Sequence, residues 1–327
     1  MSNTPLVLTN FRFEPADIDK IHEAASPGQV IVAPDRDEFE QALAKAEVVC
    51  AFQAPEDILD RAPQLRWFQF PGAGVDNLMR TGLLSKGSTV VVTSVAGIHA
   101  IPISEYVFAS MLMFAHHFPE MLRLQQQHNW AYGRRWNALR GTELAGKTLG
   151  VIGLGGIGRR IAQLGHAFGM RVLGLRRSAG TKASDPDVDE LYAPSRLRDL
   201  LGACDYVVLA LPLTPETERM IGEHELLAMR STAFLVNISR GRVVDEQALI
   251  RALQSGWIAG AGLDVTVEEP LPKENPLWDM PNVILTPHMS GLSDHYSARL
   301  TEVFADNLRR YRAGKPLLHI VDPAKGY

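Results

Sequence analysis

Apolar residues fall into two rhythms along this chain. Short apolar runs stand at residues 6–8, 30–32, 48–52, 67–70 and 90–92, and each reads as a β-strand. Between them, segments such as 18–25 and 39–46 repeat apolar residues at three- and four-residue spacing, which predicts helices. This alternation argues for a parallel sheet covered by helices. The turn PGAGVD, Pro71 to Asp76, follows the fourth run directly. A longer helical stretch is expected over 104–127, with Ser104 as its cap and Glu105 in its first turn. Pro119 lies inside it and predicts a kink or a break into two helices. The tract 130–140, with two tryptophans and three arginines, reads as a loop.

From Thr148 the alternation becomes regular. Strands are expected at 149–152, 172–175, 206–211, 233–238, 260–265 and 283–285, with helical stretches between most of them. Six strands in alternation are what a complete dinucleotide-binding domain requires. A final helix over 294–311 leads to a short tail. The fold class is therefore α/β, with a doubly wound parallel sheet in the second part of the chain.

Length and charge narrow the function classes. At 327 residues there is room for about two domains, each with its own core. A formal charge of −4 gives no electrostatic reason to bind nucleic acid or an anionic membrane. The only cysteines are Cys50 and Cys204, too few for a disulfide framework or a four-cysteine zinc site. The first residues lack the basic start and apolar stretch of a signal peptide. A cytoplasmic protein without a metal is expected.

Gly153, Gly155 and Gly158 form G-x-G-x-x-G after an apolar strand, and Ile157, Ile161, Leu164 and Phe168 then mark one helix face. In that context Gly153 allows the turn, Gly155 admits a pyrophosphate and Gly158 lets helix and strand pack closely. Amides from about Gly156 through Ile157 to Gly158 would face the phosphates. An NAD site places Asp or Glu about 20 residues further on, to bind the ribose diol. Here Arg176, Arg177 and Ser178 stand there, and no acidic residue occurs before Asp185. Two guanidiniums and a hydroxyl suit a 2′-phosphate, so NADP(H) is expected as the preferred cofactor, with NAD(H) possible.

Three more motifs follow: NISRGRVVDEQAL around Arg240, GLDVTVEEPLP around Glu269 and TPHMSG around His288. Arg240 and His288 each stand a few residues past a predicted strand, where open α/β sheets collect ligands. An arginine offers a bidentate grip on a carboxylate. A histidine can carry the proton that accompanies hydride transfer to a carbonyl, and a neighbouring glutamate orients it and favours its charged form.

Together these motifs resemble those of the D-isomer-specific 2-hydroxyacid dehydrogenases, which include glyoxylate/hydroxypyruvate reductases, D-lactate dehydrogenases and phosphoglycerate dehydrogenase. The resemblance runs through PGAGVD at Pro71, ISEY at Ile103, GLGGIG at Gly153, LPLTPET at Leu211, SRG at Ser239, DVTVEEP at Asp264 and PHMSG at Pro287. It implies that Arg240 binds the substrate carboxylate and carbonyl, that His288 is the acid/base and that Glu269 pairs with it. Asp264 would hold the nicotinamide carboxamide, and amides near Ala73 and Gly74 would complete the carboxylate site. Cofactor contacts would extend to Leu211, Pro212, Thr217, Ile238, Ser239 and Gly291, with Thr214 close by.

The family fold inserts the nucleotide domain into a smaller, flavodoxin-like substrate domain. That implies a first part at 1–100, a nucleotide domain at 101–289 and a return at 290–327. The helix after Ser104 would help to build a homodimer. The expected reaction is reduction of a small 2-oxoacid, glyoxylate or hydroxypyruvate, to the D-2-hydroxyacid. A corepressor-like nucleotide-binding protein and phosphoglycerate dehydrogenase are the alternatives, the latter disfavoured by a chain that stops soon after His288. A formate- or phosphite-type oxidoreductase fits Glu269 less well. Thr266, where an aromatic residue is common, and Arg176-Arg177 depart from the family pattern.

Other residues read as structure. His116 and His117 are adjacent on a helix and cannot share a metal; Cys50 and Cys204 read as small buried hydrophobes. Arg309, Arg310 and Arg312 end the last helix, where cations suit the dipole. Trp130, Trp136 and Trp278 either line the substrate pocket or anchor loops.

Overall fold

Val7 and Leu8 are neighbours in the sequence and neither is exposed at all. Adjacent strand residues point to opposite faces, so a strand can bury both only where its sheet is covered on both sides. The computed structural model, which describes residues 4–130, 133, 137–177 and 184–322, shows two such sheets, one in each of two compact units.

One unit runs to His99 and resumes at Ser293. Its strands are β1 (Leu6–Thr9), β2 (Gln29–Val32), β3 (Val48–Cys50), β4 (Trp67–Gln69) and β5 (Val91–Thr93). All pair in parallel in the order β2-β1-β3-β4-β5, the flavodoxin-like arrangement. Helices α1 (Pro15–Ala25), α2 (Arg36–Leu43) and α3 (Ile58–Arg61) connect the strands. Val7, Ile21, Trp67, Phe304 and Leu308 form one core layer; Leu8, Phe39, Val49, Phe68 and Leu78 form the other. The returning chain is tied in by Asn307, which is buried on the last helix and exchanges hydrogen bonds with the Leu318 backbone at 2.7 and 3.2 Å.

The other unit, Ala100–Leu292, opens with α4 (Ala100–Ala115) and α5 (Phe118–Gln126). The long helix expected from Ser104 thus begins earlier and breaks at His116–His117, where His117 takes a left-handed φ of 55°. Ser104 is not its cap: it is buried inside the first turns and donates to Ile101 O at 2.8 Å. Pro102 is tolerated because a first-turn residue has no helical acceptor for an N–H.

The strands that follow are β6 (Thr148–Ile152), β7 (Arg171–Leu175), β8 (Glu190–Tyr192), β9 (Tyr206–Leu209), β10 (Phe234–Asn237), β11 (Gly260–Leu263) and β12 (Val283–Leu285). They form one parallel sheet in the order β12-β11-β10-β9-β6-β7-β8. The sequence pattern predicts six strands; β8 is the seventh and stands at the edge. Helices α6 (Gly156–Ala167), α7 (Leu197–Ala203), α8 (Glu223–Ala228) and α9 (Glu246–Ser255) cover the sheet, and α10 (Tyr296–Arg312) belongs to the first unit. Phe234 and Val236 pack under α4, where Phe114 and Phe234 stack at 4.2 Å, while Leu235 faces the other layer. The order reverses between β6 and β9, the crevice where such sheets bind ligands. Burial pushes the Cys50 and Cys204 thiols up to about 12, so both are inert packing groups. Among the described residues, no helix is long and apolar enough to cross a membrane.

Candidate active site

The carboxyl ends of β10, β11 and β12 carry the charged residues. After β10, Asn237 organises the turn: its side chain accepts from Ser239 N at 3.1 Å and Ser239 Oγ at 2.8 Å, and donates to Arg240 O at 3.0 Å. Arg240 then donates from Nη1 to Ser239 O at 2.8 Å. Gly241 explains the next link. A Cβ there would stand 2.0 Å from the Thr266 carbonyl, so only glycine lets the arginine turn lie against the segment after β11.

Asp264, just after β11, is 1% exposed. Its carboxylate accepts from Met289 N at 2.9 Å, Ser290 N at 3.0 Å and Thr286 Oγ at 2.7 Å. Its carbonyl accepts from His288 N at 2.8 Å. The loop carrying His288 is therefore hung on this residue. Thr286 Oγ also lies 2.8 Å from Tyr106 Oη on α4. A hydroxyl has one proton, which goes to the carboxylate, so Tyr106 must donate to Thr286. Burial, the main influence on the Tyr106 phenol, pushes its pKa up and keeps it a donor. Tyr106 and Thr286 are the positioning residues that sequence reasoning missed; the ISEY motif marked the first without its task.

His288 has φ 54°, a conformation that costs a non-glycine residue about 1–3 kcal/mol and persists only where its surroundings impose it. Its Nδ1 lies 2.7 Å from Glu269 Oε2. A carboxylate only accepts, so Nδ1 carries the proton and Nε2 is left for chemistry. Glu269 is held in turn by Thr266 N, which donates to Oε1 at 3.1 Å. Thr266 thus works through its backbone amide, with its hydroxyl spent on Glu268 O. A mostly apolar cavity of about 530 Å³ opens beside the pair, walled by Leu271, Trp278, Leu285 and Pro287 among others. Trp278 serves both expected roles: it lines this cavity, and its indole anchors on Pro272 O at 2.9 Å.

The ends of β6, β7 and β9 carry the glycine turn and its neighbours. Gly153 has φ 102°, and a Cβ on Gly158 would stand 1.9 Å from Gly153 O. A Cβ on Gly155, the N-cap of α6, would meet nothing within 4 Å. The turn, the close packing and open space over the helix start are thus all present, as a pyrophosphate needs. Gly156 and Ile157 begin α6. Leu211 and Pro212 lie on a loop stapled by Thr217, whose hydroxyl donates to Pro212 O at 2.7 Å and accepts from Thr214 N at 2.7 Å. Glu216 of this loop is held below the usual carboxylate range, first by Thr214 and to a lesser extent by the Arg177 charge, which sets Arg177 beside the loop.

Arg176 differs from the sequence expectation. One of its nitrogens, Nη1, is spent on Asp185 Oδ2 at 2.6 Å, and its side chain is 14% exposed. Ser178 and Trp136 lie outside the described residues. Ile238 and Ser239 are buried beside Arg240, and Gly291 closes the His288 loop. Ala73 and Gly74 belong to the first unit, on the loop after β4 that Tyr296 fastens by donating to Pro71 O at 2.8 Å. Trp130 is 79% exposed.

Comparison with known proteins agrees with this geometry. Residues 108–290, more than half of the chain, match the family model for D-isomer specific 2-hydroxyacid dehydrogenase, NAD binding domain. A glyoxylate reductase of Korarchaeum cryptofilum is 37% identical over 79% of this chain and 76% of its own length. A D-isomer specific 2-hydroxyacid dehydrogenase from Xanthobacter autotrophicus Py2, solved with NADPH, superposes with TM-score 0.82 at 30% identity, over 99% of this chain and all of that one. An NADPH-dependent glyoxylate/hydroxypyruvate reductase from Sinorhizobium meliloti, solved with NADP, gives 0.83 at 29% over the same shares. With a matching nucleotide domain, a full-length structural likeness and a histidine–glutamate pair at the strand ends, the chain belongs to the D-isomer-specific 2-hydroxyacid dehydrogenase family of oxidoreductases.

Proposed function

We propose that this enzyme reduces glyoxylate, hydroxypyruvate or a 2-oxoacid of similar size to the D-2-hydroxyacid, with NADPH preferred over NADH. The observation that carries the reading is the 2.7 Å contact between His288 Nδ1 and Glu269, which leaves Nε2 as a proton carrier. Bound nicotinamide supplies the hydride that reaches the carbonyl carbon. Arg240 grips the substrate carboxylate and polarises the carbonyl. His288 gives its Nε2 proton to the nascent alkoxide, and Glu269 stabilises the imidazolium that donates it. Asp264 holds the loop bearing His288 and would hold the nicotinamide carboxamide when the cofactor is bound.

The glycine turn fits a pyrophosphate by its open space at Gly155, and Arg176 and Arg177 favour a 2′-phosphate by charge. The two structural relatives described above that were solved with NADPH or NADP support the same choice. The Ala100–Leu292 unit is the nucleotide domain and the other the substrate domain. Ile101, Phe118, Met121, Leu122 and Trp130 are exposed apolar residues on and just after α4 and α5, and a second copy of the chain covers them in a homodimer.

A panel of 2-oxoacids with NADPH and NADH, followed by absorbance of the reduced nicotinamide, tests the reaction. Turnover restricted to NADH, or to 2-oxoacids with long side chains, would overturn the finer reading. Light scattering tests the dimer.

A further inference from the structure

Asp185 is the acidic residue that the sequence pattern places just beyond the ribose-binding position, and its side chain is 2% exposed. It is the centre of a cluster built from three separate segments. Arg159, in the first turns of α6, grips it with two nitrogens, Nη1 to Oδ1 and Nη2 to Oδ2, both at 2.9 Å. Arg176, immediately after β7, donates Nη1 to Oδ2 at 2.6 Å. Asp187 N closes the turn onto Oδ1 at 3.2 Å, and the Asp187 carboxylate reaches Arg159 as well. Asp185 thus joins the helix that follows the glycine turn to the residue that follows β7.

What remains of Arg176 matters more. Its Nε and Nη2 are both buried, and neither has a hydrogen-bond partner among the described residues. These two nitrogens share the side-on edge of the guanidinium, the edge whose parallel N–H groups match a carboxylate or phosphate in bidentate fashion. Native structures rarely leave such donors buried and unpaired without a ligand to fill the gap. Arg176 is therefore anchored at one end and unsatisfied along the edge that recognises phosphate.

We propose that Asp185 is a positioning residue for 2′-phosphate recognition: by holding Nη1 of Arg176 against Arg159, it presents the Nε–Nη2 edge to the adenosine 2′-phosphate. The inference rests on the NADPH reading above and adds a residue to it. Arg177 then adds an exposed positive charge, and Arg176 is the preset fork. The opposite role for Asp185, neutralising Arg176 and weakening its pull on phosphate, predicts that Asp185→Asn tightens bisphosphate binding.

The test uses binding of adenosine 2′,5′-bisphosphate and ADP to the full-length protein by calorimetry, with no turnover involved. Wild type should prefer the bisphosphate. Asp185→Asn keeps the shape and loses the charge that fixes Arg176; affinity for the bisphosphate should fall about ten-fold, within the coupling range of one salt-bridge network, while ADP changes less than about two-fold. Arg176→Ala should reduce selectivity at least as much, and Asp185→Asn on that background should add nothing more. If Asp185→Asn folds poorly, Arg159→Gln loosens the same anchor and should lower selectivity by a smaller factor. A selective wild type whose Asp185→Asn and Arg159→Gln variants bind the bisphosphate equally or more tightly overturns the positioning role alone. A wild type that does not distinguish the two nucleotides overturns the cofactor reading and the role together.

Discussion

At the ends of β11 and β12 a buried carboxylate, Asp264, accepts from two backbone amides and a threonine hydroxyl; past the end of β7 another, Asp185, accepts mainly from two guanidiniums. The first arrangement fixes a stretch of backbone, and the side chain it delivers, His288, stays half exposed and able to react. The second fixes the charged side chains themselves, and what it delivers is a preset direction for one arginine. Chemistry is therefore expected to be sensitive around β11 and β12 with little effect on folding. Around β7, selectivity and acid stability are expected to change while turnover persists.

His288→Ala offers the largest effect with which to break this comparison. Loss of a positioned acid should lower kcat by about 10²–10⁴-fold. Because the ring is half exposed, the thermal midpoint should stay close to wild type. A large drop in midpoint would mean that the histidine supports the loop as well as the chemistry. Arg240→Lys comes next. It keeps the charge and loses the fork, so kcat/KM should fall about 10–150-fold, the worth of a charge-assisted contact, with nucleotide affinity by fluorescence nearly unchanged. Near-native kcat/KM in this variant would remove Arg240 from the site.

Tyr106→Phe probes the support behind the catalytic loop and should act more gently. Thr286 loses a donor, which costs about 0.5–1.5 kcal/mol in denaturant unfolding, and kcat should drop less than in His288→Ala. Unchanged stability and turnover together would show that the Tyr106–Thr286–Asp264 chain does not hold His288 in place.

Reading the sequence reaches the two regions to different depths. Arg240, Glu269 and His288 follow strands that are legible as apolar runs: β10 and β11 are buried on both faces, and the half-buried edge strand β12 is marked by Val283, Ile284 and Leu285. The Glu269–His288 contact spans 19 residues within one such pair of strand ends. The Tyr106–Thr286 contact spans 180 residues, and nothing local marks either residue as a partner. The same limit hides the task of Asp185. Arg176 and Arg177 look alike in sequence, and only the fold shows that one is anchored while the other lies beside the 211–217 loop. Elements fail for simpler reasons. β8 is a short edge strand with no apolar run, and the start of α4 is masked by Pro102, which reads as a breaker although a first turn accepts it.

The smallest expected effect sharpens the comparison from the β7 side. The Asp185 carboxyl is held below the ordinary carboxylate range, chiefly by its hydrogen bonds from Arg159, against the upward push of burial and with help from Asp187 N and the charges of Arg159 and Arg176. A depressed folded-state pKa means that the unfolded chain takes up the proton first as pH falls. The ionised carboxylate therefore contributes stability that is present in full above the unfolded value, about 3.9, and is lost as pH drops through the lower folded value. Asp185→Asn lacks this contribution at every pH. The midpoint difference between wild type and Asp185→Asn should then be constant from neutral pH down to about pH 5, and shrink steadily below about pH 4. A contribution of order 1 kcal/mol corresponds to a difference of about 2–4 °C on the plateau. Midpoints measured from pH 7 to pH 3 in matched buffers give the curve. A gap that stays constant through pH 3 would show that the stabilisation comes from packing at position 185 and not from its charge.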